Sequence, residues 1–378
     1  MAVVGAAESD LGVTNRSILG LQTQAVTRAL ADAGLSLRDV DGIATTGVSR
    51  FSATQLADYF GLRPRWTDST FAGGSAFEMF VARAAQAIEA GQAATVVISF
   101  ASNQRSARSR SLSGLIETHT PEAQFEWPYA PLFPLSYYAM ATQRYLHTYG
   151  GTREQLAEVA VAAREWALLN PAAFRYGAGP LTAQAVLASP MVSSPLTVAD
   201  SCLVTDGGGA VVLTTAERAR DLARPPVHVL GYGERTTNTS MTSQPDLTVT
   251  GAAESGAEAF ACAGLTPAEI DVVEVYDSFT ITTALTLEAL GFCGRGEILD
   301  FITGGRIRPG GELPVNTSGG GLSYCHPGQY GVLLLVEAVR QLRGEAGERQ
   351  VAGARTAVAH GTGGILSTHA TVVLGANS

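Results

Sequence analysis

Two kinds of apolar segment alternate along the chain. Short runs rich in Val and Ile, such as residues 95–102 and 370–376, have the length and composition of buried strands. Longer Ala-rich runs, such as residues 74–90 and 332–343, place their apolar residues at helical spacing. Helices that alternate with short β-branched strands predict an α/β protein built of packed layers.

The chain also repeats part of this pattern. Residues 29–47 match residues 259–277 without a gap, and both stretches end an Ala-rich helix with Ala-Gly-Leu. A glycine after the helix predicts a helix C-terminus, and a hydroxyl residue with an acid three positions later predicts a capped turn. These residues fall at matching positions in the two copies: Gly34, Ser36 and Asp39, then Gly264, Thr266 and Glu269.

A second matching pair closes each copy. Residues 206–215 resemble residues 367–376, and both have the pattern of a final strand. Two ordered matches predict a duplicated α/β fold whose halves are related by a pseudo-twofold axis. We place the halves at 1–222 and 223–378, joined at the Arg- and Pro-rich segment 217–226.

An insertion, roughly residues 103–148, interrupts the first half. It contains an Arg- and Ser-rich loop followed by the aromatic stretch FEWPYAPLFPLSYYAM. It is either a surface excursion that packs on its own aromatic residues, or a lid or dimer-facing loop that shapes a substrate tunnel.

Composition narrows the function classes. The 378-residue chain carries a net charge of -9, which argues against nucleic-acid binding. It contains no lysine, which excludes a Schiff-base lysine, a P-loop lysine and a lysine general base. No apolar run is long enough for a transmembrane span, and the N-terminus does not resemble a signal peptide. We therefore expect a cytoplasmic protein.

The cysteines and histidines give no sign of a metal site. The four cysteines are scattered without a C-x-x-C, and the six histidines are isolated. Each cysteine is better explained as a small buried apolar residue than as a nucleophile.

Several motifs, taken together and in order, are more specific. They are QRYLHTYGGTREQ, SPLTVADSCLVTDGGGAVVL, VEVYDSFT, NTSGGGLSYCHPGQYG and AVAHGTGG. In order and spacing they resemble the thiolase superfamily, in the branch of sterol-carrier-protein thiolases and lipid-transfer-protein-like enzymes. The resemblance spans essentially the whole chain. It implies a five-layered α/β/α/β/α fold, dimers, and a coenzyme A thioester as substrate, with no permanently bound cofactor.

The nucleophile of that family is missing. Thiolases place a Cys at the N-terminus of a buried helix, where the helix dipole lowers the pKa of its thiol. Phe71 falls at this position, in DSTFAGGSAFEMF, and Gly73 follows it. A phenyl ring cannot form an acyl-enzyme, so Phe71 is interpreted as a substrate-binding residue. Gly73, in the same turn, is also predicted to contact substrate. Ser69 or Thr70 could replace the Cys only with a base within hydrogen-bond reach.

The resemblance assigns acid–base roles to other residues. His360 stands where the family has its second reactive Cys, and an imidazole can move protons near neutral pH. The glycines after it, with Gly363 as a substrate contact, suit a turn that presents N–H groups to an oxyanion. Tyr276 occupies the position of the family's Asn or His that holds a water in the oxyanion hole. His360 and Tyr276 could each instead be a packed structural residue.

The segment Cys325-His326-Pro327-Gly328 matches the family's Gly-His-Pro. His326 is the predicted partner of the thioester, although a histidine bonded to backbone at a helix entry is the alternative. Cys325 replaces a glycine and is predicted to contact substrate. Recruitment of Cys325 or Cys202 as a substitute nucleophile is a further alternative.

The resemblance favours an enzyme that makes or breaks a C–C bond beside an acyl-CoA thioester by a (retro-)aldol route, similar to steroid side-chain retro-aldolases. Tyr276 or His360 would act as acid and base, and His326 would donate to the thioester oxygen. A thiolase or acyltransferase with an unusual nucleophile and a non-catalytic acyl-CoA-binding subunit are the alternatives. A homodimer and a small zinc-ribbon/OB-fold partner protein are also implied.

Overall fold

A computed structural model describes residues 1–47, 49–109 and 119–376. The strands are β1 Ala2–Glu8, β2 Gly42–Ala44, β3 Trp66–Asp68, β4 Thr95–Ser102, β5 Met191–Ser193, β6 Leu196–Thr197, β7 Gly207–Thr214, β8 Val227–Thr236, β9 Val272–Val275, β10 Thr356–Gly363 and β11 Thr368–Ala376. The α-helices are α1 Ile18–Asp32, α2 Ser52–Tyr59, α3 Ala76–Glu89, α4 Gln104–Ala107, α5 Leu135–Tyr149, α6 Arg153–Leu168, α7 Ala183–Ala188, α8 Ala216–Ala219, α9 Ala252–Ala263, α10 Thr280–Ala289, α11 Ile298–Phe301 and α12 Gly331–Arg343.

The strands of the two copies join in one mixed sheet. Within the described residues its order is β3-β2-β4-β7-β1-β8-β11-β10-β9. From β2 on one side and from β9 on the other, a parallel pair is followed by two antiparallel pairs: β2-β4-β7-β1 and β9-β10-β11-β8. The first half has one additional parallel strand, β3, at its outer edge. The halves meet where β1 pairs with β8 over two residues. The strand order therefore has the symmetry that a duplicated fold requires.

The repeat is visible in local contacts as well. Ser36 with Asp39 and Thr266 with Glu269 each form a capping box, and Gly34 and Gly264 have φ of +71° and +66°. One matching contact was not predicted. A Cβ on Gly5 in β1 would lie 2.0 Å from the carbonyl oxygen of Ala29, and one on Gly231 in β8 would lie 2.2 Å from that of Ala259. Glycine lets α1 and α9 sit directly on their strands.

The helices divide into outer and central layers. Helix α1 covers β1, β4 and β7, whereas α9 covers β8 and β11. Between them α3 and α12 contact strands of both halves, and their buried apolar faces share one core. The two halves of the sheet, one on each side of α3 and α12, thus form the two β layers of the predicted α/β/α/β/α arrangement. The turn before α3 and the start of α12 lie side by side. The boundary between the halves at residue 222 stays a prediction.

The insertion folds mainly into helix. Its residues 110–118 lie outside the described residues. After them come short helical turns over Glu122–Tyr129 and then α5, which packs against α10 and β5. Among the described helices none is long and apolar enough to cross a bilayer.

Candidate active site

The turn after β9 carries the first candidate residue. The N–H of Tyr276 donates to the carbonyl of His360 at 2.9 Å, which fixes the turn against β10. The phenol ring then packs on the turn before α3, where a Cβ on Gly74 would lie 2.0 Å from Cε2 of Tyr276. Gly74 is required here because any larger residue would occupy the position of the ring.

A glycine-rich loop brings the second candidate residue to the first. Asn316 anchors the start of this loop, since its Oδ1 accepts from the N–H of Val275 at 2.8 Å. At its end the N–H of His326 donates to Oγ1 of Thr205 at 2.9 Å. The ring of His326 reaches Tyr276, with Nε2 2.9 Å from Oη and the ring planes almost perpendicular. Two residues 50 positions apart in sequence thus form one hydrogen-bonded pair.

Asp277 holds the loop that carries His326. Its Oδ1 accepts from the N–H of Gly321 at 2.6 Å, and its Oδ2 accepts from the N–H of Leu322 at 3.1 Å. A Cβ on Gly321 would lie 2.9 Å from Oδ1 of Asp277 and 3.1 Å from Cδ2 of His326. The carboxyl group and the imidazole therefore flank the same glycine. Burial raises the pKa of Asp277 to about 7, against the lowering effect of its backbone hydrogen bonds.

Tyr330, which no sequence pattern predicted as a site residue, completes the surroundings of the pair. Its ring stacks on His326 with centroids 6.2 Å apart and meets the edge of Tyr276 at 5.9 Å. Its hydroxyl lies 3.1 Å from Oγ of Ser318. The only signal in the sequence was its place inside the HPGQYG motif.

Burial keeps both members of the pair neutral. It lowers the pKa of His326 to about 4 and raises the pKa of Tyr276 well above its usual value near 10. At neutral pH the pair is a phenol and an uncharged imidazole that share one hydrogen bond. Such a pair can donate to a substrate oxygen and pass a proton between its two atoms without creating a fixed charge.

His360 does not join this pair. Along β10 the side chains alternate, and a Cβ on Gly361 would meet Glu78 of α3. The ring of His360 therefore points to the other face, where Nδ1 lies 2.8 Å from Oγ1 of Thr371 and Nε2 lies 3.3 Å from Nδ1 of His369. Thr371 in turn bonds to Ser255 of α9. The geometry therefore does not support the predicted catalytic role of His360.

The predicted substrate contacts lie in different surroundings. Phe71 is 61% exposed, just before the turn that leads to α3. Gly73 and Gly363 touch, since a Cβ on Gly73 would lie 2.9 Å from Cα of Gly363. Cys325 is fully buried, with its Sγ 3.1 Å from Oγ1 of Thr205. Its side chain therefore faces the start of β7, and its assignment as a substrate contact stays a prediction.

The alternative nucleophiles are placed unfavourably. The Oγ of Ser69 accepts from the N–H of Ala53 at 2.9 Å, and Thr70 bonds to Asp68 and Arg83. The carboxylate of Asp68 does lie within hydrogen-bond reach of the Thr70 hydroxyl, at 2.8 Å, but it is also ion-paired with Arg83, which makes it a weaker base. Burial raises the pKa of both Cys202 and Cys325 to about 12, so neither thiol is ionised near neutral pH. Among the described residues no cluster of three or more His, Cys, Asp or Glu is placed to hold a metal ion.

The chain is similar to known proteins both in sequence and in fold. Residues 233–376 match the family described as thiolase C-terminal domain-like. The 17-hydroxy-3-oxo-4-pregnene-20-carboxyl-CoA lyase of Mycobacterium tuberculosis is 37% identical over 91% of each chain. The steroid side-chain-cleaving aldolase of Thermomonospora curvata is 37% identical over 91% of this chain and 90% of its own. A solved structure of an Ltp2-ChsH2(DUF35) aldolase, 32% identical, superposes with a TM-score of 0.89 over 99% of this chain and 97% of its own.

Proposed function

The chain belongs to the thiolase superfamily, and from this premise we propose that it makes or breaks the C–C bond next to a CoA thioester by a (retro-)aldol route. Of the two relatives named above, each of which matches 91% of this chain, one is named a lyase and the other an aldolase. The observation that carries the proposal is the neutral, hydrogen-bonded Tyr276–His326 pair. It is supported by the resemblance, which puts Phe71 at the position of the family's nucleophilic Cys.

The cleavage reaction needs one proton to move and no covalent intermediate. Tyr276 takes the proton of the β-hydroxyl group while its own proton passes to Nε2 of His326. The O–H electrons form the C=O bond of the first product, and the electrons of the broken C–C bond form the thioester enolate. The pair then returns the proton to the α-carbon, which gives the second product as a CoA thioester. Hydrogen bonds must stabilise the enolate, because the chain has no lysine to form an iminium.

The buried environment suits this assignment. Both side chains are almost completely enclosed, which strengthens hydrogen bonds to a developing oxyanion. Asp277 fixes the loop of His326, and Gly74 fixes the ring of Tyr276. The two groups are thus held on separate supports that meet at the 2.9 Å contact.

A screen of β-hydroxyacyl- and β-ketoacyl-CoA thioesters, with products identified by mass, tests the reaction class. Cleavage of β-hydroxyacyl-CoA to a carbonyl compound and a shorter CoA thioester is expected. Cleavage of the keto compounds alone, with a stable acyl-enzyme formed from radiolabelled acyl-CoA, would instead establish thiolase chemistry. Binding without turnover of either class would point to a non-catalytic subunit.

A partner protein and a homodimer complete the proposal. The similar structure is a complex described as Ltp2-ChsH2(DUF35), and a small zinc-ribbon/OB-fold protein is the type of partner that we expect here. The screen should therefore be run with and without a co-encoded protein of this type. Light scattering on the purified chain measures whether it is a dimer.

A further inference from the structure

A buried network of polar side chains joins the segments that carry the Tyr276–His326 pair. Glu274 belongs to β9 and precedes Tyr276 by two residues. Thr317 lies at the start of the glycine-rich loop that ends at His326, and Glu337 belongs to α12. All three side chains of the network are almost completely enclosed. The network therefore connects the strand that leads to Tyr276 with the loop that leads to His326.

The hydroxyl group of Thr317 is the centre of this network. Its Oγ1 lies 2.8 Å from Oε1 of Glu274 and 2.8 Å from Oε1 of Glu337, and it accepts from Nε2 of Gln341 at 2.9 Å. A hydroxyl group has one hydrogen atom, so it donates to only one of the two carboxyl groups. The other carboxyl group must then donate to Oγ1, and for this it must carry a proton.

An arginine keeps Glu337 ionised. Nε of Arg349 donates to Oε1 of Glu337 at 2.8 Å, and a terminal nitrogen of the same guanidinium donates to Oε2 at 2.9 Å. Burial alone would raise the pKa of Glu337, but the charge of Arg349 outweighs it and lowers this pKa. Glu337 therefore accepts the hydrogen atom of the Thr317 hydroxyl group.

Glu274 has the opposite surroundings. Within the described part of the chain it forms no ion pair, and its Oε2 has no hydrogen-bond partner. Burial, together with the charge of Glu337, raises the pKa of Glu274 well above its usual range. As a neutral acid Glu274 donates to Thr317, and Thr317 in turn donates to Glu337. Each contact of the hydroxyl group then has its hydrogen atom.

The same contacts fasten the start of the loop to β9. The N–H of Thr317 donates to Oε1 of Glu274 at 3.0 Å, beside the bond from the N–H of Val275 to Asn316. Asn316 has a φ of +52°, in the left-handed region that only glycine adopts freely. This turn of the loop therefore depends on the hydrogen bonds around it.

We propose that Glu274 is a positioning residue that acts as a neutral acid, and that its proton joins the loop to β9 and so sets His326 against Tyr276. The proposal rests on the proposed function, because it explains how the same pair is held. An ionised Glu274 would place two negative charges around the single hydroxyl group of Thr317, and the loop would move away from β9.

Urea unfolding of wild type and Glu274→Gln at pH 5, 5.5 and 6 tests the proton without any use of turnover. The amide of glutamine donates and accepts as the neutral acid does, but it does not titrate. Above a pKa of about 4.3 the unfolded chain releases the proton of Glu274, whereas the folded chain keeps it. The stability that this proton supplies is complete below that pH and is lost as the pH rises. The unfolding equilibrium constant of wild type should therefore rise relative to that of Glu274→Gln by up to about tenfold per pH unit.

The neighbouring groups do not change their charge over this interval. Glu337 and Arg349 stay ionised, and Asp277, with a pKa of about 7, stays mostly neutral, as does Tyr330. Glu269→Gln is the matched control. Glu269 is an exposed carboxylate whose hydrogen bonds to Thr266 lower its pKa, so it is ionised in both states and the ratio should be constant.

NMR of the imidazole nitrogens tests the positioning role, with the signals of His326 assigned by their loss in His326→Gln. Glu274→Leu keeps the size of the side chain but removes its donor, and it should shift these signals, whereas Glu274→Gln should leave them at the wild-type position. In the turnover assay Glu274→Leu should lower kcat about tenfold or more, and Glu274→Gln should stay within about threefold of wild type. Thr317→Val removes the shared hydroxyl group, should shift the same signals, and serves as the test if Glu274→Leu does not fold.

The outcomes separate this role from the reaction. A ratio that does not change with pH for Glu274→Gln would overturn the neutral acid. Wild-type signals of His326 in folded Glu274→Leu or Thr317→Val, or shifted signals in Glu274→Gln, would overturn the positioning role. Absence of turnover in the thioester screen, with the unfolding and NMR results as expected, would overturn only the aldol reaction.

Discussion

His326 and His360 both lie buried in the second half, and each is hydrogen-bonded to a hydroxyl group, yet they occupy opposite sides of the fold. His326 ends a loop, faces the central layer and meets Tyr276 at 2.9 Å. His360 lies within β10, faces the outer layer and meets Thr371 at 2.8 Å. The first pair joins two separate supports, whereas the second joins neighbouring strands beneath α9.

The difference shows what a catalytic histidine needs besides burial and a partner. Burial lowers the pKa of both imidazoles, so titration alone does not distinguish them. The Tyr276–His326 pair lies beside Gly74, in the turn that leads into α3. The His360–His369 pair is enclosed by strands β10 and β11 and by α9. We infer that the first pair does chemistry and that the second supports the fold.

The largest expected effect separates the two pairs directly. Tyr276→Phe removes the hydroxyl that exchanges a proton with His326, and it should lower kcat about 100- to 10,000-fold, the usual contribution of a general acid–base group. Thr371→Val, made to the partner of His360, should leave kcat unchanged and lower the unfolding free energy by about 1–3 kcal/mol. Steady-state kinetics and urea unfolding of both variants are the measurements. Full activity in Tyr276→Phe, or inactivity of a well-folded Thr371→Val, would reverse the comparison.

A second variant perturbs the first pair without removing either group. Gly74→Ala adds a Cβ that would overlap the ring of Tyr276, so the ring must shift. Because misplacement of a reacting group by about 1 Å can cost up to 100-fold, we expect kcat to fall roughly 10- to 100-fold.

Gly177→Ala is the matched control for this change, since a Cβ there meets nothing within 4 Å. Equal kcat values for the two alanine variants would show that the position of Tyr276 is not important for the reaction.

The sequence predicted much of this architecture but not the faces on which the side chains lie. The repeat, both capping boxes and the missing nucleophile at Phe71 were evident, because they depend on local spacing and residue type. The Tyr276–His326 pair was implied only as two separate motifs. His360 was assigned to the site because its motif matches that of the family. Its side chain points away from Tyr276 because side chains alternate between the two faces of β10, and the face of each residue depends on strand register. The position of Tyr330 depends on packing between distant segments, which no local pattern encodes.

A third prediction tests the structural role of the second pair through pH. Burial lowers the pKa of His369 to about 4 in the folded chain, whereas the unfolded value is about 6.5. Below pH 6.5 the unfolded chain therefore binds a proton that the folded chain does not, and stability falls as pH falls towards 4. His360 and Glu254 are the titratable groups that influence it.

His369→Gln removes this group. The difference in unfolding free energy between wild type and variant should shift in favour of the variant by up to about 1.4 kcal/mol per pH unit between pH 6 and 4.5. Above pH 7 the difference should be constant. Urea unfolding at pH 7.5, 6 and 5 measures it, and a difference that does not change with pH would show that His369 is not buried as a neutral group.

The smallest expected effect concerns how the first pair is held. The pKa of Asp277 is raised to about 7 by burial, so the group is half-ionised near neutral pH. The ionised form accepts hydrogen bonds from both Gly321 and Leu322, and the protonated form accepts them less well. Since these bonds position the loop of His326, kcat/KM should rise as pH increases through about 7.

In Asp277→Asn this inflection should disappear. The kcat should also fall roughly three- to tenfold, which corresponds to the net free energy of one hydrogen bond. Asp271→Asn is the matched control, because Asp271 accepts from the N–H groups of Arg355 and Thr356 before β10, away from the pair. An inflection near pH 7 that survives in Asp277→Asn would assign it to another group, and the loop would then position His326 without the help of this carboxylate.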